Sequence, residues 1–206
     1  MSKPEQFPAD PVQAADAAGR NGGAAWPVAS VVPRTRLHRR NIELAGYRRE
    51  DGLYDIEGHL SDVKDYDFGV VSQTPAGSPI HDMWLRITVD GSLRIVEAQA
   101  HMAARPYPGH CEHITPDYGK LIGLQIAPGF TNAVRGLLGG QSGCVHLTEM
   151  VASLATAAYQ TLAGERSSQP QDAMPPHLDR CHALDTCGPV VQEFYPRWYR
   201  GPSVDG

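Results

Sequence analysis

The chain has 206 residues, 41% of them hydrophobic and 20% charged, with a formal net charge of −5 at pH 7. That is enough chain for one domain with a real core, and the acidic balance removes any electrostatic case for nucleic acid. No apolar run reaches the length of a membrane span, and the first residues lack the apolar stretch of a signal peptide. The expectation is a cytoplasmic protein whose four cysteines are thiols, metal ligands or redox groups rather than structural disulfides.

Residues 1–33 are rich in Ala, Gly and Pro without periodicity and read as a flexible arm. Four strands follow. Asn41–Arg49 and Leu53–Val63 flank the turn signal Glu50-Asp51-Gly52. Met83–Val89 and Leu93–Ala100 flank Asp90-Gly91, a short hairpin. Gly69–Pro79 reads as a polar loop between the two pairs. After Ala103 the pattern turns helical. Thr115-Pro116 is an N-cap followed by Pro at the first helical position. Pro128 opens a short helix closed by Gly139-Gly140, and a long helix runs from Cys144 to Ala163 with the apolar stripe Leu147, Met150, Val151, Leu154, Ala158 and Leu162. Residues 165–176 read as a linker. The aromatic tail through Tyr199 is expected to pack back, and 201–206 to trail. Strands first and helices later give an α+β class: an antiparallel sheet of about four strands followed by about three helices packed on one face, as a single domain over 34–200.

Four clusters carry metal-competent side chains: His81-Asp82, just before a strand; His110-Cys111-Glu112-His113 in the Pro-rich loop; Cys144, His146 and Glu149; and Cys181-His182 with Cys187. Glu149 is the only charged residue between Arg135 and Glu165. It shares a helix face with His146, and at about 100° per residue that face is far from the Leu147–Leu154 stripe. Cys144 opens the helix, where the dipole favours thiolate. Strand starts and helix N-termini often meet at one end of such a fold, so Asp82, Cys111, Cys144 and His146 are the expected ligands of Zn²⁺ or Fe²⁺. Each has a plainer reading: Asp82 as a turn cap, His81 as an exposed loop residue, Cys111 and Cys181 as small buried hydrophobes. His59 and His101 read as ordinary sheet residues. The chain has no Cys-x-x-Cys pair, no P-loop Lys-Ser/Thr and no Gly-x-Ser-x-Gly elbow.

Asp51-Gly-Leu-Tyr-Asp-Ile-Glu-Gly-His-Leu-Ser-Asp, His81-Asp-Met-Trp-Leu-Arg-Ile-Thr-Val-Asp, Leu121-Ile-Gly-Leu-Gln-Ile-Ala-Pro-Gly-Phe and Gly143-Cys-Val-His-Leu-Thr-Glu-Met resemble bacterial domain-of-unknown-function family 2889. Cys181-His-Ala-Leu and Tyr195-Pro-Arg-Trp match its tail pattern, so the resemblance covers about residues 34–200. It implies a setting in the catabolism of aromatic or acyl compounds. A more distant similarity is to the iron–sulfur cluster assembly scaffold fold, where Asp82, Cys111 and Cys144 would be the matching ligand positions. The Cys that this pattern places two residues before the Asp is Ile80 here, which argues against cluster assembly.

The reading that follows is a metal-dependent enzyme, hydrolase or lyase, acting on a small aromatic or acyl substrate. Glu149 and His146 serve as general base or acid, and Trp84, Tyr107 and Phe130 form an apolar wall for the substrate. Two alternatives stay open: a non-catalytic iron–sulfur or sulfur-handling accessory protein using Cys111, Cys144 and Cys181, and a metal-free enzyme with Cys144 as nucleophile and His146 as its base. An edge position for Asn41–Arg49 leaves a homodimer through that strand open.

Overall fold

The computed structural model describes residues 32–69, 73–167, 173–175 and 177–201. The expected arm over 1–33 therefore lies almost wholly outside the described residues, as do 168–172 and 176 of the expected linker and 202–206 of the tail. The chain divides between Arg36 and Leu37 into two units, and the second, Leu37–Gly206, holds everything that follows.

Strand β1 (His38–Arg48) pairs antiparallel with β2 (Tyr54–Lys64), a two-residue ribbon β3 (Phe68–Gly69) and β4 (Gln73–Thr74) lies in the next connection, and β5 (Pro79–Val89) and β6 (Ile95–Ala104) complete the main sheet. The sheet order is β1-β2-β5-β6, every pair antiparallel, so β1 and β6 are its edges. The α+β class, an antiparallel four-stranded sheet with about three helices, is what the order of strands first and helices later predicts. Several boundaries shift by a few residues, and two of the differences bear on the site. β5 begins four residues before Met83, which puts His81 and Asp82 inside the strand. The segment expected as a helix from Thr115 is a 3-10 run over Cys111–Leu121 with Pro116 in its middle; proline lacks the donor an interior α-helical turn needs. The helices are α1 (Phe130–Leu138), α2 (Val145–Ser167) and, in the tail, α3 (Pro189–Phe194).

Side chains of successive strand residues point to opposite faces. On β2 the residues in phase with Tyr54, Ile56 and Leu60 are buried, and on β5 those in phase with Met83, Leu85 and Ile87. These pack against Leu147, Val151 and Leu154 of α2, Val134 and Leu138 of α1, and Tyr118 and Leu121 of the 3-10 run. Each such side chain contributes about 1.5–3 kcal/mol on leaving water.

Helix α2 lies antiparallel along β2 for nearly its whole length. At its end Tyr54 hydrogen-bonds Glu165. In its middle, a Cβ on Gly46 would lie 1.9 Å from Thr161 Oγ1, and one on Gly58 would lie 2.8 Å from Met150 Sδ. The absence of side chains at 46 and 58 is what lets the helix come down onto β1 and β2. The lengths match: a helix rises about 28 Å from residue 146 to 165, and a strand spans about 27 Å from residue 62 back to 54. The N-terminus of α2 therefore sits over the Asp62 end of the sheet.

In the tail, Leu178 and Val191 are buried. The turn is held by Thr186, whose backbone N–H and hydroxyl donate to the Asp179 carboxylate.

Candidate metal centre

Three polar residues occupy core-facing positions at one end of the sheet. Arg40 on β1 is the cross-strand partner of Asp62 on β2, and Asp62 is the partner of His81 on β5. The Asp62 side chain is 4% exposed. A buried carboxylate is costly unless its lone pairs are used, and here they are. Arg40 donates from Nε to Oδ1 at 2.8 Å and from Nη2 to Oδ2 at 2.7 Å. His38 Nε2 meets Oδ1 at 2.8 Å, and His81 Nδ1 meets Oδ2 at 3.0 Å. Burial alone pushes the Asp62 carboxyl up. The bidentate Arg40, then His38 and His81, outweigh it and hold the group well below the usual carboxylate range.

The fourth element arrives from above. Cys144 caps α2, with the Thr148 N–H donating to its carbonyl at 2.9 Å. The cap is clamped by the buried Tyr118. The Cys144 N–H donates to Tyr118 Oη at 3.1 Å, and that hydroxyl reaches the Cys144 carbonyl at 3.0 Å and Thr148 Oγ1 at 2.8 Å. His146 is one turn ahead of Met150, so both lie on the side of the helix turned to the sheet. His146 Nε2 lies 3.9 Å from Asp62 Oδ2, and its ring centroid is 4.0 Å from that of His81 at an interplanar angle of 39°. Its other nitrogen, Nδ1, is 3.7 Å from Cys144 Sγ. Burial lowers the pKa of both imidazoles. His81 and Arg40 lower that of His146 further, while Asp62 pulls the other way on both. Both rings are thus biased to the neutral, ligand-competent form.

Asp62, His81 and His146 each offer one ligand atom, all within 4.8 Å of one another, and among the described residues they are the only such group of three. Tetrahedral bonds of about 2.0–2.2 Å put ligand atoms about 3.3–3.6 Å apart. The 3.0 Å from His81 Nδ1 to Asp62 Oδ2 and the 3.9 Å from His146 Nε2 to the same oxygen bracket that spacing.

A family model described as "Protein of unknown function (DUF2889)" matches residues 38–160, more than half of the chain. The chain belongs to this family. No curated protein and no solved structure matches it. The matched span of this DUF2889 protein runs from His38 to within α2 and so contains the whole cluster.

Of the residues expected to converge, the structure brings His146 and Cys144 to the cluster. Glu149 stands at its rim, 62% exposed, with Oε2 3.7 Å from Arg40 Nη1. His146 is closer to the apolar side of the helix than the stripe suggests, because the sheet-facing line runs through Met150 and Thr161. Asp82 requires a correction. It is out of phase with Met83, faces the other side of the sheet, and meets His59 Nε2 at 2.5 Å. Its neighbour His81 takes the place assigned to it. Cys111, at the start of the 3-10 run, packs half-buried against the core and belongs to no ligand group among the described residues. The Asp82–Cys111–Cys144 set of the scaffold similarity is likewise not gathered. Cys181 is exposed and Cys187 half-buried, and neither enters a ligand group among the described residues.

The expected substrate wall is also divided. Trp84 is on the sheet face away from the helices, Tyr107 is exposed in the loop after β6, and Phe130 is buried at the start of α1. Phe130 lines a groove of about 540 Å³ between α1 and the first turns of α2, with Val134, Leu138, Val145, Ala152 and Glu149.

Sequence reasoning passed over Asp62, Arg40 and His38. Their signal was phase: Tyr54, Ile56, Gly58 and Leu60 alternate inward, and the next inward position is Asp62.

Proposed function

We propose that this protein is a metal-dependent enzyme of hydrolase or lyase type, holding Zn²⁺ or Fe²⁺ on Asp62, His81 and His146. The observation that carries the reading is the convergence of those three ligand atoms at the N-terminus of α2, with both imidazoles biased to the neutral form. Two imidazoles and one carboxylate leave coordination positions open, the arrangement of catalytic zinc and non-haem iron sites. An ion held by these residues would polarise a carbonyl or activate water. Cys144 lies against the second nitrogen of His146 and fixes how that ring is turned. Glu149, exposed beside Arg40, serves as general base or acid in contact with solvent. The groove reaching Glu149 from Phe130 is mostly apolar and suits a small aromatic or acyl substrate. A cytoplasmic setting in bacterial catabolism is the part of the proposal that rests on the family resemblance alone.

The test is metal stoichiometry after equilibration with Zn²⁺, Fe²⁺ or Co²⁺, with the visible spectrum of the Co²⁺ form as a report on geometry. One ion per chain is expected, with affinity reduced roughly 10–100-fold or more in His81→Ala, His146→Ala and Asp62→Asn. No stoichiometric ion in the wild type, or equal binding by folded variants, sinks the proposal.

The second reading, a metal-free thiol enzyme, is favoured by one observation. Cys144 Sγ, His146 and Asp62 form a relay at 3.7 and 3.9 Å, the order of nucleophile, base and orienting group. A Cys144-dependent activity that persists in metal-free protein selects it.

A further inference from the structure

We propose that the sheet face turned away from the helices binds a small planar acid: an aromatic ring that carries a carboxylate and a hydrogen-bond donor, stacked on Trp84. Trp84 lies on the central strand β5 and is 43% exposed. A single exposed indole is ordinary, but this one is braced. His59, its cross-strand partner on β2, lies flat on it with ring centroids 3.8 Å apart and planes 8° from parallel. Asp82 in turn pins His59 through Nε2 at 2.5 Å. The platform is thus set before any ligand arrives, which cuts the ordering cost of binding.

Beside it is a hollow of about 410 Å³ lined by Glu57, Trp84, Arg86, Gln99 and His101, within the range of small-molecule sites. Glu57 and Arg86 are direct cross-strand partners of opposite charge, an arrangement that usually pairs. Here they do not: Arg86 turns its Nη2 to the neutral Gln99 Oε1 at 2.7 Å, and no ion pair joins it to Glu57 or to any other described carboxylate. The hollow therefore presents a guanidinium with spare donors, a carboxylate acceptor directly across the strands from it, and an indole two residues along β5.

The ligand chemistry follows. A flat ring satisfies the indole, a carboxylate takes the fork bidentately, and a hydroxyl or amino group gives its hydrogen to Glu57. A nucleic acid is disfavoured, because Glu43, Asp55, Glu57, Asp82 and Glu97 share this face and repel a polyanion. The site is separate from the metal proposal and does not rest on it.

Calorimetric titration of the full chain with 4-hydroxybenzoate, benzoate and cyclohexanecarboxylate tests the inference. Saturable one-to-one binding of 4-hydroxybenzoate is expected, about tenfold weaker for Arg86→Gln and for the alicyclic acid. Glu57→Gln should remove the preference for 4-hydroxybenzoate over benzoate, and Trp84→Leu should abolish binding. His146→Ala should bind as the wild type does. Circular dichroism checks that the variants fold, and Arg86→Gln, a half-exposed polar exchange, keeps the test alive if Trp84→Leu does not. No saturable binding by the folded wild type overturns the proposal. So does equal affinity for ring and alicycle, or binding that survives Arg86→Gln unchanged. Loss on His146→Ala alone moves the ligand to the metal triad and overturns it as well.

Discussion

Asp62 concentrates most of the energetics of the cluster in one carboxylate. Asp62→Asn leaves the part-exposed Arg40 against a neutral amide, and losing hydrogen bonds to a charged group costs about 1.5–3 kcal/mol. Urea denaturation at pH 7 should show a loss of that order, whereas Glu149→Gln, at a 62% exposed side chain, should stay within about 0.5 kcal/mol. The pH response of the metal-free protein comes in two windows. His81 and His146 have folded pKa values below the unfolded value of about 6.5. The unfolded chain binds those protons more readily, so stability rises with pH there. Their contribution is complete above about pH 6.5 and is lost as pH falls below it. Asp62 is also depressed; its contribution is present above about pH 3.9 and fades as pH falls further, through its folded pKa. Denaturation midpoints measured from pH 8 to pH 3 should therefore decline in two stages, and the His81→Ala/His146→Ala pair should erase the first stage only.

At the scale of elements, the position of the site depends on how closely α2 lies on the sheet. Gly46 and Gly58 are not equivalent in this. The atom nearest a Cβ at 58 is the end of a flexible methionine, while at 46 it belongs to Thr161, which is β-branched and stiff. Gly46→Ala should cost about 1–3 kcal/mol by overpacking, Gly58→Ala less, and Thr161→Ala should restore most of the Gly46→Ala loss. Additive melting shifts in the double variant would contradict this contact. The same scale explains what the sequence made legible. The four strands and the long helix follow from clean two- and 3.6-residue periods. The His146 side of the site follows from a polar pair on a helix that carries no other charge before Glu165. The sheet side was harder to read because a strand's start decides which of two neighbours faces inward. With β5 begun at Met83, His81 and Asp82 fall in a loop without phase, and the scaffold similarity points to Asp82. Extending Met83, Leu85 and Ile87 backwards selects His81, and extending Tyr54, Ile56 and Leu60 forwards selects Asp62. The 3-10 run has no period that separates it from a short helix with Pro at its first position, so the sequence reads Cys111 as a loop ligand rather than a residue against the core.

For the molecule as a whole, no described helix is long and apolar enough to cross a membrane, and the four cysteines are free. With no disulfide to restrain the unfolded chain, a bound ion is an added source of stability. At a free metal concentration one hundred times Kd, binding to the folded state alone adds about 2.7 kcal/mol. The melting temperature should rise with Zn²⁺ or Co²⁺ and fall back on chelation, and Asp62→Asn should not respond.

His81 and Asp82 are consecutive residues that serve opposite sides of one strand. Adding or removing a residue inside β5 would turn an imidazole to the Trp84 face of the sheet and a carboxylate toward α2, spoiling both sides at once. The bulge at Ile80, where the register with β2 shifts between Asp62 and Val63, lies outside that constraint, as does the connection over 65–78. Changes in chain length have room there and in the loop after β6. Between His81 and Val89 this protein can be altered by exchanging letters but not by changing their number.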